Sequence, residues 1–231
     1  MNKSIYIFAL LFAASTLFTS CRNEDDNDNP IDNRPPPTTT TDPGVVVGDI
    51  NGKPIRDING EPLRWATRNV NTPGTFVANP EDAGMFFQWN RRIGWSSANP
   101  MVNSDGGTTW DDTIPSGTTW ETVNNPCPQG WRVPTNLEIQ NLHSQMGVWT
   151  QRNGVNGRLF GTAPNQIFLP AAGFRHSALG ALRDVNELGR YWSSTENANV
   201  HAMPLQFSER TSSSQHSVFR WSGYSVRCVA E

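Results

Sequence analysis

Lysine, cysteine and long apolar runs are scarce in this chain of 231 residues. Lys3 and Lys53 are its only lysines, so arginine supplies nearly all of the positive charge. The net charge of -3 lacks the basic excess that attracts nucleic acid. The main apolar run, residues 5–18, is too short to span a bilayer as a mature helix. We therefore expect neither a nucleic-acid partner nor a transmembrane protein.

The sequence also lacks the short motifs of common catalytic sites. It contains no HExxH, no GxSxG, no P-loop and no GxGxxG. The histidines, at positions 143, 176, 201 and 216, do not have the spacing of metal ligands. We therefore predict no metal site, no cofactor and no enzymatic activity.

Acidic side chains leave one hydrolytic alternative open. Asp111, Asp112 and Glu121 offer carboxylates of the kind that glycoside hydrolysis uses in pairs. They lie in Thr-rich loops, where acids are commonly solvated turn residues. We favour the interpretation as turns.

Two of the three cysteines, Cys127 and Cys228, lie about a hundred residues apart. In an exported chain they are expected to pair, because that compartment does not keep thiols reduced. The alternative is a nucleophilic or metal-binding thiol, which needs a neighbouring His, Asp or second Cys. Neither NPCPQGWRVPT nor GYSVRCVAE supplies such a partner. We predict a structural disulfide.

The remaining cysteine follows a signal-like beginning. Residues 1–20 combine a basic start at Lys3, an apolar run, and the small residues Thr19 and Ser20 before Cys21. This pattern resembles the signal of bacterial lipoproteins, and the resemblance implies cleavage before Cys21 and lipid attachment to it. An ordinary secretory signal with a coincidental cysteine is the alternative.

Residues 21–44 are rich in acid, Pro and Thr and have few large apolar side chains. Such a segment cannot bury enough surface to offset its ordering entropy, so we predict an extended tether. Its acidic run, residues 24–26, resembles the export signal of Bacteroidetes-type lipoproteins. The resemblance implies a lipid-anchored protein on the outer membrane that faces the cell exterior. A plain solvated linker is the alternative.

Residues 45–231 are long enough for one sizeable core and contain all nine tryptophans. Two Asn-Gly pairs, beginning at positions 51 and 59, predict tight turns that lead into a strand. Alternating apolar residues near the end of the chain predict another strand, with Cys228 on its buried face. The strands are expected over 63–70, 166–174, 190–195, 203–207 and 224–229.

Two helices are predicted from capping signals. Asn79 and Pro80 suit the start of a helix over 79–90. Thr135 and Glu138 form a capping box at the start of a second helix that ends at Gly147. The apolar stripe of the second helix consists of Ile139, Leu142 and Met146. Two helices beside antiparallel strands predict an α+β fold.

Five phrases that occur in order carry a family resemblance. They are WATRNV, NPCPQGWRVPT, FLPAAGFR, GRYWSST and GYSVRCV, all within residues 63–231. Together they resemble the Fibrobacter succinogenes major paralogous domain, a family of bacterial surface proteins with a C-type-lectin-like fold. The resemblance implies an α+β, C-type-lectin-like domain with two helices, short twisted antiparallel strands and long loops. It makes a binding module the first expectation.

In C-type-lectin-like folds, partners bind to loops from the late part of the chain. Here residues 196–222 lie between two of the family phrases and mix Ser and Asn with aromatic and Arg side chains. Such a composition is typical of binding loops. We expect contact with an unknown surface ligand, a protein or a glycan. The predicted contact residues are His176, Arg190, His201, Met203, Gln206, Arg210, Gln215, Phe219 and Trp221.

Some lectin-fold proteins of this kind are targets of diversity-generating retroelements, which vary selected surface positions. Residues 175–222 fit that role by length, position and variety, and an ordinary exposed loop region is the alternative. The Glu-Pro-Asn, Gln-Pro-Asp and Trp-Asn-Asp triplets of calcium-dependent lectins do not occur. The resemblance therefore does not imply calcium-dependent sugar binding.

Two further classes of function are weighed against the binding module. A structural role, as an envelope or pilus-associated component, would use the same loops to contact neighbouring subunits. Formylglycine-generating enzymes share a variant of the fold, but their copper site uses closely spaced cysteines, whereas Cys127 and Cys228 lie in separate segments. We expect a surface-exposed lipoprotein that acts as a ligand-binding or adhesion module.

Overall fold

The computed structural model describes residues 41–145 and 147–231. The predicted signal peptide (1–20), the lipidation site Cys21 and the tether up to residue 40 lie outside these ranges, as does Met146. The described residues belong to a single unit of the chain. None of the helices in these ranges is long and apolar enough to cross a bilayer.

The described part of the chain consists of short strands and one α-helix. The helix, α1 (Asn136–His143), lies between the fifth and sixth strands, and a 3-10 turn covers Thr122–Asn124. The strands are β1 (Val45–Val46), β2 (Arg64–Trp65), β3 (Phe86–Phe87), β4 (Gly94–Trp95), β5 (Trp131–Arg132), β6 (Val148–Arg152), β7 (Val155–Thr162), β8 (Asn165–Pro170), β9 (Phe174–Arg175), β10 (Leu182–Arg183), β11 (Gly189–Glu196), β12 (His201–Phe207), β13 (Ser212–Ser213), β14 (Val218–Phe219) and β15 (Val229–Ala230).

These strands form small antiparallel sheets. One has the order β1-β2-β15-β5, another β6-β7-β8, and a third β11-β12-β13, with β14 also paired to β12. Strands β3 and β4 form a separate pair, as do β9 and β10. The last strand, β15, therefore pairs with β2 and β5 in the sheet that also contains the first strand.

The predicted α+β fold class is wrong, because the regular structure of the described residues is mostly strand, in small antiparallel sheets, and includes one α-helix. The helix expected over 79–90 does not form. Gly84 has a φ of 70°, and a Cβ there would lie 2.2 Å from the carbonyl oxygen of Val70. The chain therefore leaves the helical conformation, and Phe86 and Phe87 form β3 with no exposed surface. Burial on both sides suits a strand better than an amphipathic helix.

The second predicted helix is present. Thr135 Oγ1 accepts the backbone N–H of Glu138 at 3.3 Å, and the Glu138 carboxylate accepts the backbone N–H of Thr135 at 2.7 Å. This capping box is the predicted one. Both Glu138 oxygens also accept hydrogen bonds from Arg132, at 2.7 and 2.8 Å. The helix ends at His143, before the predicted stop at Gly147.

Both Asn-Gly pairs lie in tight turns, as predicted, but not at the turn centres: Gly52 donates to the carbonyl oxygen of Asp49, so each glycine is the last residue of its turn. Asp49 Oδ1 accepts the backbone N–H groups of Asn51 and Lys53, each at 2.8 Å. Asp57 repeats this arrangement with Asn59 and Glu61. Each turn is therefore stabilised by backbone hydrogen bonds to the carboxylate of its first residue, Asp49 or Asp57.

The predicted strands are mostly present but differ in length and burial. The strand expected over 63–70 is reduced to β2, whereas those over 190–195 and 203–207 correspond to β11 and β12. The strand expected over 224–229 does not form, because only Val229 of this segment belongs to a strand, and the predicted alternation is also wrong, because all six residues are buried.

The predicted disulfide joins Cys127 to Cys228 across a sequence separation of 101. Its Cα–Cα distance of 6.1 Å lies in the ordinary range for disulfides. Cys127 comes shortly before β5 and Cys228 directly before β15, so the bond ties two neighbouring strands. In a chain-entropy model, a loop of this length makes the bond worth about 4–5 kcal/mol.

Arg227 lies in the same core and is 1% exposed. Its Nε and Nη2 donate to Asn69 Oδ1 at 3.0 and 2.7 Å, and its Nη1 donates to the carbonyl oxygen of Ala66 at 3.2 Å. Burial lowers the pKa of Arg227 to about 10, which leaves it charged at neutral pH. Burial raises the pKa of neighbouring Tyr191 to about 12, although the Arg227 charge opposes this.

We call the set made of the disulfide, Arg227, Asn69 and strands β2, β5 and β15 the framework. In it, the buried Arg227 finds its hydrogen-bond partners in Ala66 and Asn69, which lie far away along the chain.

Candidate ligand-binding cleft

An open cleft of about 370 Å³ lies beside β9, β11, β12 and β14. Aromatic rings and one guanidinium group form most of its wall, and three serines and a valine complete it. We call it the Arg190 cleft. Its rings and its cation belong to Phe174, His176, Arg190, His201, Phe219 and Tyr224.

Three stacked aromatic rings, those of His201, Phe219 and Trp221, lie at the cleft, and we call them the ladder. Strands β12 and β14 place His201 opposite Phe219, and their ring centroids are 4.9 Å apart at an interplanar angle of 23°. The ring of Trp221, two residues later, also stacks on Phe219, at 4.6 Å and 21°. Phe219 nevertheless remains 44% exposed. The ladder therefore leaves part of its aromatic surface open to solvent.

Arg190 is held in place by the floor of the cleft. Its guanidinium lies 4.1 Å from the centroid of the Phe174 ring and 5.2 Å from that of Tyr224. Its Nε donates to Gln206 Oε1 and its Nη1 to Tyr224 Oη, each at 2.9 Å. Among the described residues, no acceptor binds Nη2. Arg190 is thus a fixed cation with a free donor.

The phenol of Tyr224 supports this arrangement. Its ring packs on Trp192 with centroids 4.4 Å apart. Burial raises the pKa of Tyr224 above its ordinary value, although the charge of Arg190 opposes the change. The phenol therefore stays neutral at physiological pH and accepts the hydrogen bond from Arg190.

Two triplets with the same pattern supply three rings of the cleft and the Trp221 ring of its ladder. These triplets are Phe174-Arg175-His176 and Phe219-Arg220-Trp221. In each one the outer residues supply rings of the cleft or of its ladder, while the central arginine points inward. Arg175 is 1% exposed and Arg220 is 2% exposed. In the first triplet Arg175 belongs to β9 and alternates with exposed His176, whereas Arg220 lies in a turn that is closed by a hydrogen bond from the Ser222 N–H to the carbonyl oxygen of Phe219 at 3.1 Å.

Arg175 ties the first triplet to two loops. It donates to the carbonyl oxygens of Ser96 at 2.8 Å, Ala98 at 2.7 Å and Gly180 at 2.7 Å. It also donates to the Ser96 hydroxyl at 3.1 Å. Burial among these neutral acceptors lowers the pKa of Arg175 below its ordinary value.

Arg220 ties the second triplet in a similar way. Its Nη1 donates to the carbonyl oxygens of Pro115 at 3.2 Å and Asn199 at 3.0 Å. Its Nη2 pairs with Glu196 at 3.2 Å, and its guanidinium lies 3.9 Å from the ring centroid of Trp89. Exposed Phe219 and half-buried Trp221 therefore flank an arginine that several loops hold in place.

The structure brings together most of the predicted contact residues. His176, Arg190, His201 and Phe219 line the cleft, and Trp221 extends its ladder. Gln206 lies behind the cleft and orients Arg190.

Three predicted contact residues lie elsewhere. The sulfur of Met203 accepts a hydrogen bond from Asn136 Nδ2 at 3.4 Å, at the start of α1. Arg210 lines a separate cavity with Trp149 and other residues. Gln215 is exposed between β13 and β14 and does not line the cleft.

The sequence interpretation missed several residues of the cleft. Phe174 falls in a predicted strand, and Tyr224 falls in the last predicted strand, so both were assigned to the core. The repeated pattern of a ring, an arginine and a ring is the signal that identifies the two triplets.

The acids considered for hydrolysis lie in loops and have the contacts of turn residues. Asp111 accepts the backbone N–H of Thr113 at 2.9 Å and pairs with Arg91. Partial burial raises its pKa, but the hydrogen bonds from Thr113 and the charge of Arg91 hold the pKa of Asp111 below its ordinary value. Within residues 41–145 and 147–231, no group of three or more His, Cys, Asp or Glu is placed to hold a metal ion.

Comparison with protein-family models, with curated proteins and with solved structures finds no match to this chain. The family resemblance of its five phrases therefore stays a prediction. The case for the Arg190 cleft rests on geometry and chemistry.

Proposed function

We propose that this chain is a surface-exposed bacterial lipoprotein that binds a ligand, as a recognition or adhesion module, through the Arg190 cleft. The partly exposed ladder of His201, Phe219 and Trp221 beside a fixed cation carries the proposal. Aromatic rings are normally buried when a protein folds. Rings that stay open while buried arginines anchor the backbone beside them favour a binding role.

The cleft also has the physical properties of a prepared site. Arginine and aromatic residues dominate the energetics of many recognition surfaces. Arg190 and the ring ladder are already fixed by neighbouring side chains, so binding would cost little ordering entropy. The cleft volume of about 370 Å³ lies near the lower end of the range for small-ligand sites.

The proposed location rests on the lipoprotein-like signal, Cys21 and the predicted tether. Asp42, 8% exposed, accepts the backbone N–H groups of Gly44 at 2.8 Å and Thr67 at 2.9 Å. The chain is therefore fixed to the domain from about this residue. Residues 22–41 span at most about 70 Å when fully extended. A tether of that length would hold the cleft clear of the bilayer that receives the lipid.

Binding is tested with purified protein on glycan and protein arrays, followed by titration of each hit. The Phe219→Ala variant is expected to bind more weakly than the parent. The Ile50→Ala variant serves as a control, because Ile50 is 87% exposed and does not line the cleft. A ligand whose affinity is equal in both variants would place the binding surface elsewhere.

Lipid attachment is tested in cells grown with labelled fatty acid. The parent chain is expected to carry label and to be cleaved by protease added outside the cells. The Cys21→Ala variant is expected to carry none. Label in that variant would contradict the lipoprotein part of the proposal.

A structural role as an envelope or pilus-associated component is the second candidate. Ile50 and Ile58, at the two repeated turns, are 87% and 81% exposed and offer apolar contacts to a neighbouring subunit. Copurification with envelope partners that is lost in an Ile50→Ser, Ile58→Ser variant would favour this role.

Variation by a diversity-generating retroelement remains a hypothesis for residues 175–222. Any such variation would have to spare the buried residues of this segment, which include Arg175, Tyr191, Trp192, Phe207 and Arg220. The gene decides the matter. A nearby repeat that differs at adenines would support the hypothesis, and a gene neighbourhood without a reverse transcriptase would contradict it.

A further inference from the structure

The charge of the Arg190 cleft points to the class of its ligand. None of the residues that line the cleft is acidic, although the whole chain has a net charge of -3. Arg190 is the permanent cation of the lining. An anionic group that entered would therefore meet a guanidinium without competition from a carboxylate of the wall.

Arg190 is suited to hold a carboxylate. Its Nε and Nη1 are engaged by Gln206 and Tyr224, while Nη2 has no acceptor in the described part of the chain. A planar guanidinium binds carboxylates with better directionality than an ammonium group does. Contact with the faces of Phe174 and Tyr224 removes water from one side of the cation, which strengthens its attraction for an anion.

Other polar groups in the cleft suit a ligand with hydroxyl groups. His176 Nδ1 accepts the backbone N–H of Ala178 at 3.1 Å, so the neutral ring carries its proton on Nε2 and can donate there. The hydroxyl groups of Ser177, Ser217 and Ser222 belong to the same lining. Each hydroxyl can donate and accept, as sugar hydroxyls do.

The ring ladder supplies the apolar half of the site. Phe219 stacks with both His201 and Trp221 and still keeps 44% of its surface exposed. The C–H groups of a pyranose ring can pack against the exposed aromatic surface of this ladder, while its hydroxyls reach polar partners. The size of the cleft suits one or two sugar rings.

We infer that the Arg190 cleft binds a carboxylated sugar, such as a uronic acid or a sialic acid, with its carboxylate on Arg190 and its ring against the exposed surface of the ladder that contains Phe219. The inference rests on the proposed function and names the ligand class for the same site. It joins three features of the cleft: a fixed cation with a free donor, a wall without acids, and an exposed ring ladder.

The test compares sugars that differ in the carboxylate. Methyl β-glucuronide and methyl β-glucoside form one pair, and sialyllactose and lactose form another. Each is titrated against the purified protein and observed by NMR. At least one acidic sugar is expected to bind about tenfold or more tightly than its neutral partner. Added salt is expected to reduce that preference, because it screens the ion pair.

Two variants assign the preference to the cleft. Arg190→Gln is expected to lower affinity for the acidic sugar about 10- to 100-fold and to leave the neutral sugar nearly unchanged. Phe219→Ala is expected to weaken both sugars about 2- to 10-fold. Arg210→Gln removes an exposed arginine outside the cleft and is expected to change neither.

Arg190 also contacts Tyr224 and Gln206, so its substitution can affect folding. Unfolding by urea is therefore measured for every variant. Phe219 is largely a surface ring, so Phe219→Ala keeps the test informative if Arg190→Gln does not fold.

The outcomes separate this inference from the proposed function. Equal affinity for acidic and neutral sugars would overturn the sugar-acid inference while leaving a cleft that binds another ligand. A glutamate-rich peptide that bound as tightly as the acidic sugar would overturn the saccharide part. An array ligand whose binding ignored both cleft variants would overturn the inference together with the proposed function.

Discussion

The framework and the Arg190 cleft are built from the same residue types, arginines and aromatic rings, but they differ in how these are partnered. In the framework, Arg227 is 1% exposed and all three of its guanidinium nitrogens donate to Asn69 or Ala66. In the cleft, Arg190 keeps Nη2 free of acceptors in the described chain, and Phe219 keeps 44% of its surface exposed.

This difference separates stability from recognition. Buried polar groups that have partners fix a fold, and those that lack them cost free energy. Exposed groups held in one geometry contribute little to folding but are ready for a ligand. Arg175 and Arg220 connect the two regions, because each is buried yet lies between rings of the cleft or of its ladder.

The largest expected effect is the loss of the disulfide. Reduction, or a Cys127→Ser, Cys228→Ser variant, should lower the free energy of unfolding by about 2–5 kcal/mol, because the unfolded chain regains the entropy of a long loop. Urea unfolding with and without reductant measures this. An unchanged midpoint would mean that the bond does not constrain the framework.

The next effect concerns the buried charge of Arg227. Asn69→Leu removes the side-chain acceptor of its Nε and Nη2, and should destabilise the protein by about 3 kcal/mol. Adding Arg227→Met should restore part of that loss, because the unpaired charge is gone. A double variant less stable than Asn69→Leu alone would contradict this account of the framework.

Arg220 should affect both regions. Arg220→Met keeps much of the side-chain volume but removes the bonds to Pro115 and Asn199 and the pair with Glu196. We expect a loss of about 1–3 kcal/mol in stability and a several-fold loss of ligand affinity, since Phe219 and Trp221 lose their anchor. Glu196→Gln is the milder control. An affinity loss in that control as large as in Arg220→Met would assign the effect to the ion pair.

A smaller effect depends on pH at the edge of the framework. Burial raises the pKa of Glu138, but hydrogen bonds from Arg132 and Thr135 outweigh it and lower the pKa below the ordinary value. When folding lowers the pKa of a carboxyl group, the ionised group stabilises the folded state at pH values above the pKa that it has in the unfolded chain. This stabilisation is lost as the pH falls through the pKa of the folded state. Glu138→Gln should therefore cost about 1–2 kcal/mol at pH 7 and progressively less below about pH 4. A cost independent of pH would show that the charge of Glu138 is irrelevant.

The sequence predicts what short segments determine by themselves. The capping box of Thr135 and Glu138 needs residues three apart, and the turns at Asp49 and Asp57 need a few neighbours. The disulfide follows from the expected compartment and from the small number of cysteines.

Local signals fail where distant residues decide the backbone. Asn79 and Pro80 have the chemistry of a helix start, but Gly84 packs against the carbonyl of Val70, which no local pattern reveals. The alternation of buried and exposed residues expected near Cys228 also fails, because Arg227 is buried and donates to Asn69.

The sequence predicts only part of the cleft, because residues that are distant along the chain form the rest of it. His201, Phe219 and Trp221 lie between recognisable strands, so their place at a late loop surface can be expected. Phe174 and Tyr224 resemble core residues in the sequence, and only strand pairing in three dimensions places them around Arg190. Met203 lies in the same segment but contacts the start of α1 instead.

The most direct test measures stability and ligand affinity together in Phe219→Ala, with Ile50→Ala as the matched control. Phe219 lies outside the framework but stacks with His201 and Trp221, so the variant should lose about 1–2 kcal/mol of stability and remain folded. Its affinity for the array ligand should nevertheless fall about 2- to 10-fold, whereas Ile50→Ala should change neither quantity. Unchanged affinity in Phe219→Ala, or an equal loss in both variants, would contradict the assignment of recognition to the Arg190 cleft.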